Sequence, residues 1–307
     1  MIKEKGVFVV GKIKEGDVVA RRSYNKDILF KIVEIYEEEN KKKYCSLKGI
    51  YYRLFADSPL EDLVKVGPGE LAQRLREHTI KSSEHMQRIF ARRERDKKLV
   101  LGRAAQYGVK NKVVNGNGVN GFDVPGTVLH IDGDSDYLDL CLTTYRQLSI
   151  PADGYNIEER QQSQVAGDLL KRHNPDLLVI TGHDGFIKGK NDFSDIKNYY
   201  SSQFFVDTVK AARQYEKSRD DLVIFAGACQ SHYEAILKAG ANFASSPQRV
   251  MIHAYDPVFV VEKIAYTSIY DPISIKEIIT GTITGFKGIG GMETRGKYRF
   301  GVPKSPY

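Results

Sequence analysis

The sequence predicts an α/β fold: a mostly parallel sheet flanked by helices, preceded by a small β-barrel-like N-terminal module. Short β-branched and aromatic runs dominate the first 66 residues, and apolar runs alternate with helical patterns from Thr127 onward. A stretch rich in Gly and Asn before Thr127 marks a boundary between these two regions. We therefore divide the chain into a module at 1–66, a connecting region at 67–126 and an α/β domain at 127–307.

The module at 1–66 has the patterning of a small antiparallel sheet. Its strand-like runs include "GVFVV", "ILFKIVEIYEE" and "KYCSLKGIYYRLFA", and the polar segments "KEGD" and "EENKKK" separate them. Short strands joined by polar turns are typical of small barrels. We expect such a module to bind a ligand or to cover a neighbouring domain.

The connecting region at 67–126 changes from helical to turn-rich. From Pro68 to about Lys98, apolar residues recur at helical spacing among many charges, which predicts one or two amphipathic helices. Residues 102–126 contain Asn-Gly pairs, which mark turns or a hairpin. A domain boundary is expected in this second half.

Strand and helix patterns alternate through 127–307 at the spacing of βαβ units. The strand-like runs are "TVLHIDGD", "ADGYNI", "DLLVITGHDG", "DLVIFAGACQS" and "ANFASS", and helical runs such as "EERQQSQVAGDLLKRH" separate them. This alternation predicts a mostly parallel sheet with helices on both faces. Such sheets bind ligands at the carboxyl ends of their strands.

Composition and charge narrow the classes of function. No stretch approaches the ~18 consecutive apolar residues of a membrane span, and "MIKEKGVFVV" lacks the features of a signal peptide, so we expect a cytoplasmic protein. Three cysteines without a CxxC pair argue against a disulfide framework and a structural zinc site; neither metal nor cofactor is expected. Residues 1–125 carry 26 Lys and Arg against 17 Asp and Glu. We interpret this basic excess as a solvated surface rather than a nucleic-acid interface.

Two reactive side chains follow two of the predicted strands. His183 comes after "LLVIT" and Cys229 after "LVIFAG". If these strands are neighbours, the imidazole reaches the thiol and can take its proton. Backbone N–H groups of Gly185 and Cys229 are then candidates for an oxyanion hole. The alternative is a buried structural cysteine beside a hydrogen-bonded packing histidine.

The segments "LLVITGHDG" and "VIFAGACQS" resemble those of cysteine peptidases with the caspase, gingipain and clostripain type of fold. The run "GACQSHYEAILKAGANFASSPQRVMIHAYDPVFVVEKIA", with "VLHIDGDSDYLDLCL" upstream, is similar to the YabG family of sporulation-specific peptidases. This resemblance covers essentially the whole chain. It implies a caspase-like sheet, with Cys229 as nucleophile and His183 as general base or electrostatic partner.

The resemblance also implies substrates and a place of action. The family matures spore-coat and related spore proteins and prefers to cleave after arginine, which implies the mother-cell cytoplasm or the spore coat. Related arginine-cleaving peptidases often carry an acidic residue just before the catalytic cysteine, whereas Gly227 and Ala228 stand there in this chain. The acid that selects arginine must therefore lie elsewhere.

A pocket that selects a guanidinium needs a carboxylate on the same edge of the sheet as Cys229. The candidate acids are Asp132, Asp134 and Asp184, and Ser245 and Ser246 are candidates for hydroxyls on the pocket wall. In the alternative interpretation, Asp132 and Asp134 only cap the helix that begins near Asp136.

Two further expectations concern the reaction itself. No Asp or Asn that would orient His183 is apparent in the sequence, so we predict a catalytic dyad. The arginines of "FARRERDKK" and "GRAAQYG" fall in a predicted hinge-like region, where nicking concentrates, so we also predict self-cleavage there.

Two alternatives use the same residues differently. "VLHIDGDSD" suits a Mg-dependent phosphatase with Asp132 as nucleophile and Asp134 as acid/base. Such an enzyme needs acidic metal ligands after a later strand, whereas Asp220 and Asp221 precede theirs. The other alternative is a non-enzymatic spore scaffold that binds through its basic N-terminal part.

Overall fold

The computed structural model describes residues 12–38, 41–106 and 122–301, with the backbone alone at residues 97 and 99–106. The chain divides into two compact units, residues 1–88 and 89–307. This division falls inside one helix rather than at residue 66 or 126, and the three-part division stays a prediction. Most of the Gly- and Asn-rich segment, residues 107–121, lies outside the described residues.

The first unit contains a five-stranded antiparallel sheet in the order β4-β3-β2-β1-β5. The strands are β1 Val18–Arg21, β2 Phe30–Glu37, β3 Lys43–Gly49, β4 Phe55–Pro59 and β5 Leu63–Lys65. Alternate residues of the central strands, such as Phe30, Ile32, Cys45 and Leu47, are buried. The predicted antiparallel module is therefore confirmed. Because alternate side chains of its strands are buried, apolar and polar residues alternate in the sequence.

The helix α1, Pro68–Gln106, begins in the first unit and ends in the second. Its 39 residues form one helix where the pattern allowed one or two. Pro68 is its first residue, a position where the missing N–H of proline costs no hydrogen bond.

The second unit is built on a six-stranded sheet in the order β13-β11-β10-β9-β7-β8. The strands are β7 Val128–Asp132, β8 Ala152–Asn156, β9 Leu177–Thr181, β10 Val223–Ala226, β11 Phe243–Ser245 and β13 Ile289–Gly291. The first five along the chain are parallel, and β13 is antiparallel to β11. Two small sheets pair β12 Pro272–Ile273 with β14 Thr294–Arg295, and β6 Phe122–Val124 with β15 Arg299–Gly301.

In the part of the second unit that the structure describes, six helices that follow α1 flank the sheet. They are α2 Ser135–Gln147, α3 Glu159–His173, α4 Ser202–Tyr215, α5 Tyr233–Ala239, α6 Asp256–Ala265 and α7 Ile275–Ile279. Every residue of β7, β9 and β10 is buried, as expected for strands covered on both faces. One core cluster joins these strands to apolar side chains of α3, α4 and α5. The predicted mostly parallel, helix-flanked sheet is confirmed.

In the described part of the chain, no helix has the length and apolar character needed to span a bilayer.

Candidate active site

Three turns lie side by side at one edge of the parallel sheet. The register pairs Ile180 of β9 with Ala226 of β10, and β7 runs in step with β9. The turn after β9 carries His183, and the turn after β10 carries Cys229. The strands that precede these two residues are therefore parallel neighbours, as the sequence indicated.

A side chain links the histidine turn to the cysteine turn. The backbone N–H of Phe186, three residues after His183, donates to Oε1 of Gln230 at 3.3 Å. Gln230 directly follows Cys229 and has a left-handed backbone, with φ of 56°, a conformation that costs a non-glycine residue energy. The link brings the two turns together although 44 residues separate the bonded pair.

Two carboxylates flank the His183 ring. Its Nε2 lies 3.3 Å from Oδ2 of Asp134, and its Nδ1 lies 3.8 Å from Oε1 of Glu159. The ring also lies against Tyr137, with 5.7 Å between ring centroids. The His183 side chain is 23% exposed, so it is accessible from this edge. These carboxylates stabilise an imidazolium. A Cys/His dyad without an orienting acid lacks this stabilisation.

Glu159 is held by the histidine turn itself. Its Oε1 accepts the backbone N–H of His183 at 2.6 Å. Burial raises the pKa of Glu159, partly offset by that hydrogen bond. A Cβ at Gly133 or Gly182 would clash with the Glu159 carboxyl group. A side chain at either position would therefore displace the Glu159 carboxyl group from the histidine turn.

Asp134 and Asp132 occupy different surroundings. Asp134 caps α2, with Oδ1 accepting the N–H groups of Asp136 and Tyr137, while its Oδ2 faces His183. Asp132 is fully buried, and its oxygens accept the Asp134 N–H at 3.0 Å and the Thr181 hydroxyl at 2.9 Å. The capping interpretation thus describes one oxygen of Asp134, and Asp132 joins the ends of β7 and β9.

The two serines predicted to line a pocket hold the cysteine turn instead. The Ser245 hydroxyl donates to the Ala228 carbonyl at 2.8 Å. The Ser246 hydroxyl accepts the Gln230 N–H at 3.0 Å and donates to the Val250 carbonyl at 2.6 Å. Both serines are fully buried, because the turn needs partners for its own polar groups. In this conformation their hydroxyls serve the chain rather than a substrate.

The Cys229 thiol is covered by the chain that follows β11. Cys229 is 0% exposed, the Ile252 N–H donates to its Sγ at 3.3 Å, and Sγ lies 3.9 Å from the Ile252 carbonyl oxygen. We call residues 246–252 the covering segment. In this conformation the segment excludes a substrate from the thiol.

The Asp184 carboxylate and the Gly185 N–H form a hydrogen bond with each other. Asp184 accepts the N–H groups of Gly185 and Ser201, each at 2.8 Å, and the Ser202 hydroxyl at 2.5 Å. Burial raises the pKa of Asp184, and these hydrogen bonds oppose the rise. The carboxylate therefore organises the histidine turn. Because the Gly185 N–H points to Asp184, this conformation does not offer it to an oxyanion.

Comparison with known proteins identifies the family. The family model of the YabG peptidase, U57, matches residues 14–303. The chain belongs to the YabG peptidase family. It is 41% identical over 288 residues to the sporulation-specific protease YabG of Bacillus subtilis (strain 168), which covers 94% of this chain and 97% of that protein. The chain is therefore a peptidase, and the phosphatase and scaffold interpretations are set aside.

Several residues of this YabG-family site escaped the sequence analysis. Glu159 is the second residue of the predicted helical run, where an acid is normally interpreted as a favourable charge at a helix N-terminus. Asp134 was identified as a cap or a pocket acid but not as the partner of His183. Gln230 and Ile252 carry no catalytic signal in their residue types. Only the proximity of Gln230 to Cys229 in the sequence hinted at a role.

Proposed function

We propose that this YabG-family peptidase is a cysteine endopeptidase that cleaves after arginine in spore-coat and other spore proteins. Cys229 is the nucleophile and His183 the general base. The observation that carries the proposal is the pair of linked turns at the ends of β9 and β10, which bring a thiol and an imidazole to one edge of the sheet. The mother cell of a sporulating bacterium is the proposed place of action, which fits the sporulation-specific name of the relative.

The proposed reaction begins with a proton transfer from the Cys229 thiol to His183. The thiolate attacks the carbonyl carbon of the substrate arginine, and His183 returns the proton to the leaving amine as the C–N bond to the next residue breaks. A water molecule, deprotonated by His183, then hydrolyses the thioester and regenerates the thiol. The Cys229 backbone N–H is the donor we propose for the oxyanion.

Asp134 and Glu159 are positioning residues in this mechanism. They lie on opposite nitrogens of the His183 ring and stabilise the imidazolium formed by proton transfer. We propose a histidine held between two acids where the sequence alone suggested a dyad. Neither touches the thiol in the contacts described above.

The acids predicted to select arginine are all engaged at this edge. Asp132 joins two strand ends, Asp184 organises the histidine turn, and Asp134 faces His183. The carboxylate that selects the guanidinium is therefore sought among other residues beside the cysteine turn.

The test compares the wild type with Cys229→Ala, His183→Ala and Cys45→Ala on an arginine-rich polypeptide, with the new termini mapped by mass spectrometry. Loss of the nucleophile or the base is expected to lower turnover by about 10³-fold or more. Cys45 is a matched control because it is another buried thiol, in the first unit. Near-normal cleavage by folded Cys229→Ala would falsify the mechanism, and termini that do not follow arginine would refute the specificity.

A further inference from the structure

The guanidinium of Arg249, a residue of the covering segment, is bound by the side chains of Glu234 and Tyr199. Its Nη2 lies 2.5 Å from Oε2 of Glu234, and its Nε donates to the Tyr199 hydroxyl at 2.7 Å. The Arg249 side chain is 15% exposed. A carboxylate and a phenol thus bind two different nitrogens of a planar group, an arrangement that fits a guanidinium better than a compact ammonium.

The two walls of this arginine site come from the segments that follow the catalytic turns. Tyr199 pairs with Phe186, whose N–H is bound by Gln230 beside Cys229. Glu234 lies in α5, which begins four residues after Cys229. The site therefore adjoins the nucleophile and belongs to the same edge of the sheet.

The segment that places Arg249 in this site also covers the thiol. The carbonyl of Val250, the next residue, accepts the Gln230 N–H at 3.2 Å, and the Ile252 N–H reaches the Cys229 sulfur. The main chain that contacts the Cys229 sulfur thus lies three residues beyond Arg249. The peptide bond that follows Arg249 is therefore not the bond that lies at the sulfur, and the segment occupies the site without being positioned for cleavage.

The backbone of the covering segment is under local strain. Ser246 and Arg249 have φ of 64° and 54°, in the left-handed region. Non-glycine residues adopt this conformation at a cost that the surrounding contacts must offset. A segment held in this way is suited to exchange with a competing ligand.

We propose that Glu234 and Tyr199 form the site that binds the side chain of the substrate arginine, and that Arg249 fills this site while the enzyme is closed. Substrate arginine displaces Arg249, the covering segment leaves Cys229, and the thiol becomes accessible. The site that selects the substrate arginine then also controls access to the Cys229 thiol. The proposal rests on the proposed function for the reaction but concerns a site that does not include the reacting atoms.

The first experiment measures access to the thiol without requiring peptidase activity. Full-length wild type, Arg249→Ala and the exposed-surface control Arg172→Ala are treated with iodoacetamide, and the rate of Cys229 modification is followed by mass spectrometry. We expect Arg249→Ala to speed modification about tenfold, since a contact made only in the closed state is lost. Cys141 in the same samples is a buried thiol of the same unit as Cys229, so its rate reports unfolding of that unit and should stay unchanged.

A ligand competition extends the same measurement. N-acetyl-arginine amide should accelerate Cys229 modification in the wild type, and N-acetyl-lysine amide should do so far less, because an ammonium cannot make both contacts. Equal modification rates in the wild type and Arg249→Ala, or no effect of the arginine amide, would overturn the restraint.

The second experiment measures selectivity. Glu234→Gln and Tyr199→Phe are compared with the wild type on matched arginine and lysine peptides, and each is expected to lower the ratio of kcat/KM for arginine over lysine, by about tenfold for Glu234→Gln. An unchanged ratio would rule out this specificity site. If Cys229→Ala remained active, the proposed function would fail, whereas the modification rates of Arg249→Ala would still decide the restraint on the thiol.

Discussion

His183 lies between two carboxylates that reach it from different helices. Asp134 caps α2 and faces Nε2, while Glu159 begins α3 and lies near Nδ1. Because the ring is only partly exposed, its protonated form gains from both negative charges more than it would in bulk water. At the scale of single residues, the site is thus organised around stabilising an imidazolium.

Asp134 and Asp132 are expected to respond differently to removal of their charge. Asp134→Asn should lower kcat/KM by roughly 10- to 1000-fold on arginine and lysine peptides alike, since it acts through His183. Asp132→Asn should mainly lower the free energy of unfolding, by about 1–3 kcal/mol, because its buried oxygens accept strand-end hydrogen bonds. Steady-state kinetics on matched substrates and urea denaturation measure the two effects.

A loss confined to arginine peptides in Asp134→Asn would assign this carboxylate to substrate selection instead. The pH profile of kcat/KM provides a second readout. Removal of a positioning acid is expected to shift the apparent pKa of His183 downwards. An unshifted profile with normal activity would contradict the positioning role.

At the scale of elements, the turn after β10 depends on a glycine. Gly227 has φ of 111°, and a Cβ there would clash with the Ser245 hydroxyl that holds the Ala228 carbonyl. The turn directs its polar groups to Ser231, Ser245 and Ser246 rather than to solvent. Its conformation, and with it the position of Cys229, therefore depends on the adjacent strand β11.

Gly227→Ala is expected to destabilise the protein by about 1–3 kcal/mol and to reduce cleavage, because the backbone conformation and the neighbouring hydroxyl both oppose a side chain. Gly167→Ala is the matched control. Gly167 lies in α3 with no atom within 4 Å of a Cβ, so the substitution should stabilise the helix by about 0.5–1 kcal/mol. Urea midpoints of both variants test the contrast, and equal effects would argue against a special role for the turn.

At the scale of the whole molecule, α1 is the described segment that passes from one compact unit to the other. In the second unit, Arg92 and Arg93 both pair with Glu262, which is 1% exposed. They are two of the arginines at which self-cleavage is predicted. A peptidase needs an extended substrate, so helical and ion-paired arginines must first be released by local unfolding.

Glu262→Gln is expected to accelerate shortening of the active enzyme from its N-terminal side, since a buried charge pair is weakened and α1 opens more often. Glu94→Gln, a substitution at an exposed position of α1, serves as the control. The fragments are followed by gel and mass spectrometry over days of storage. The same fragments from a Glu262→Gln/Cys229→Ala double variant would show that another protease makes them.

The sequence by itself determined the order of strands and helices from β7 to β11 and the residues that end those strands. Runs such as "LLVIT" and "VIFAG" are apolar throughout, so they indicate strands buried on both faces, and the chemistry-bearing residues directly follow them. The parallel arrangement of β9 and β10 follows from the intervening helix, and it suffices to predict that His183 and Cys229 share an edge.

Only the tertiary structure decided which polar groups meet at that edge. Glu159, Glu234 and Arg249 have side chains that are equally suited to solvent, and nothing local distinguishes a surface acid from one that binds an imidazole or a guanidinium. The difference arises because packing brings distant turns together and takes Glu159 and Arg249 largely out of water, so that their polar groups find partners in the protein. The burial of Cys229 beneath residues 246–252 is a consequence of the same packing.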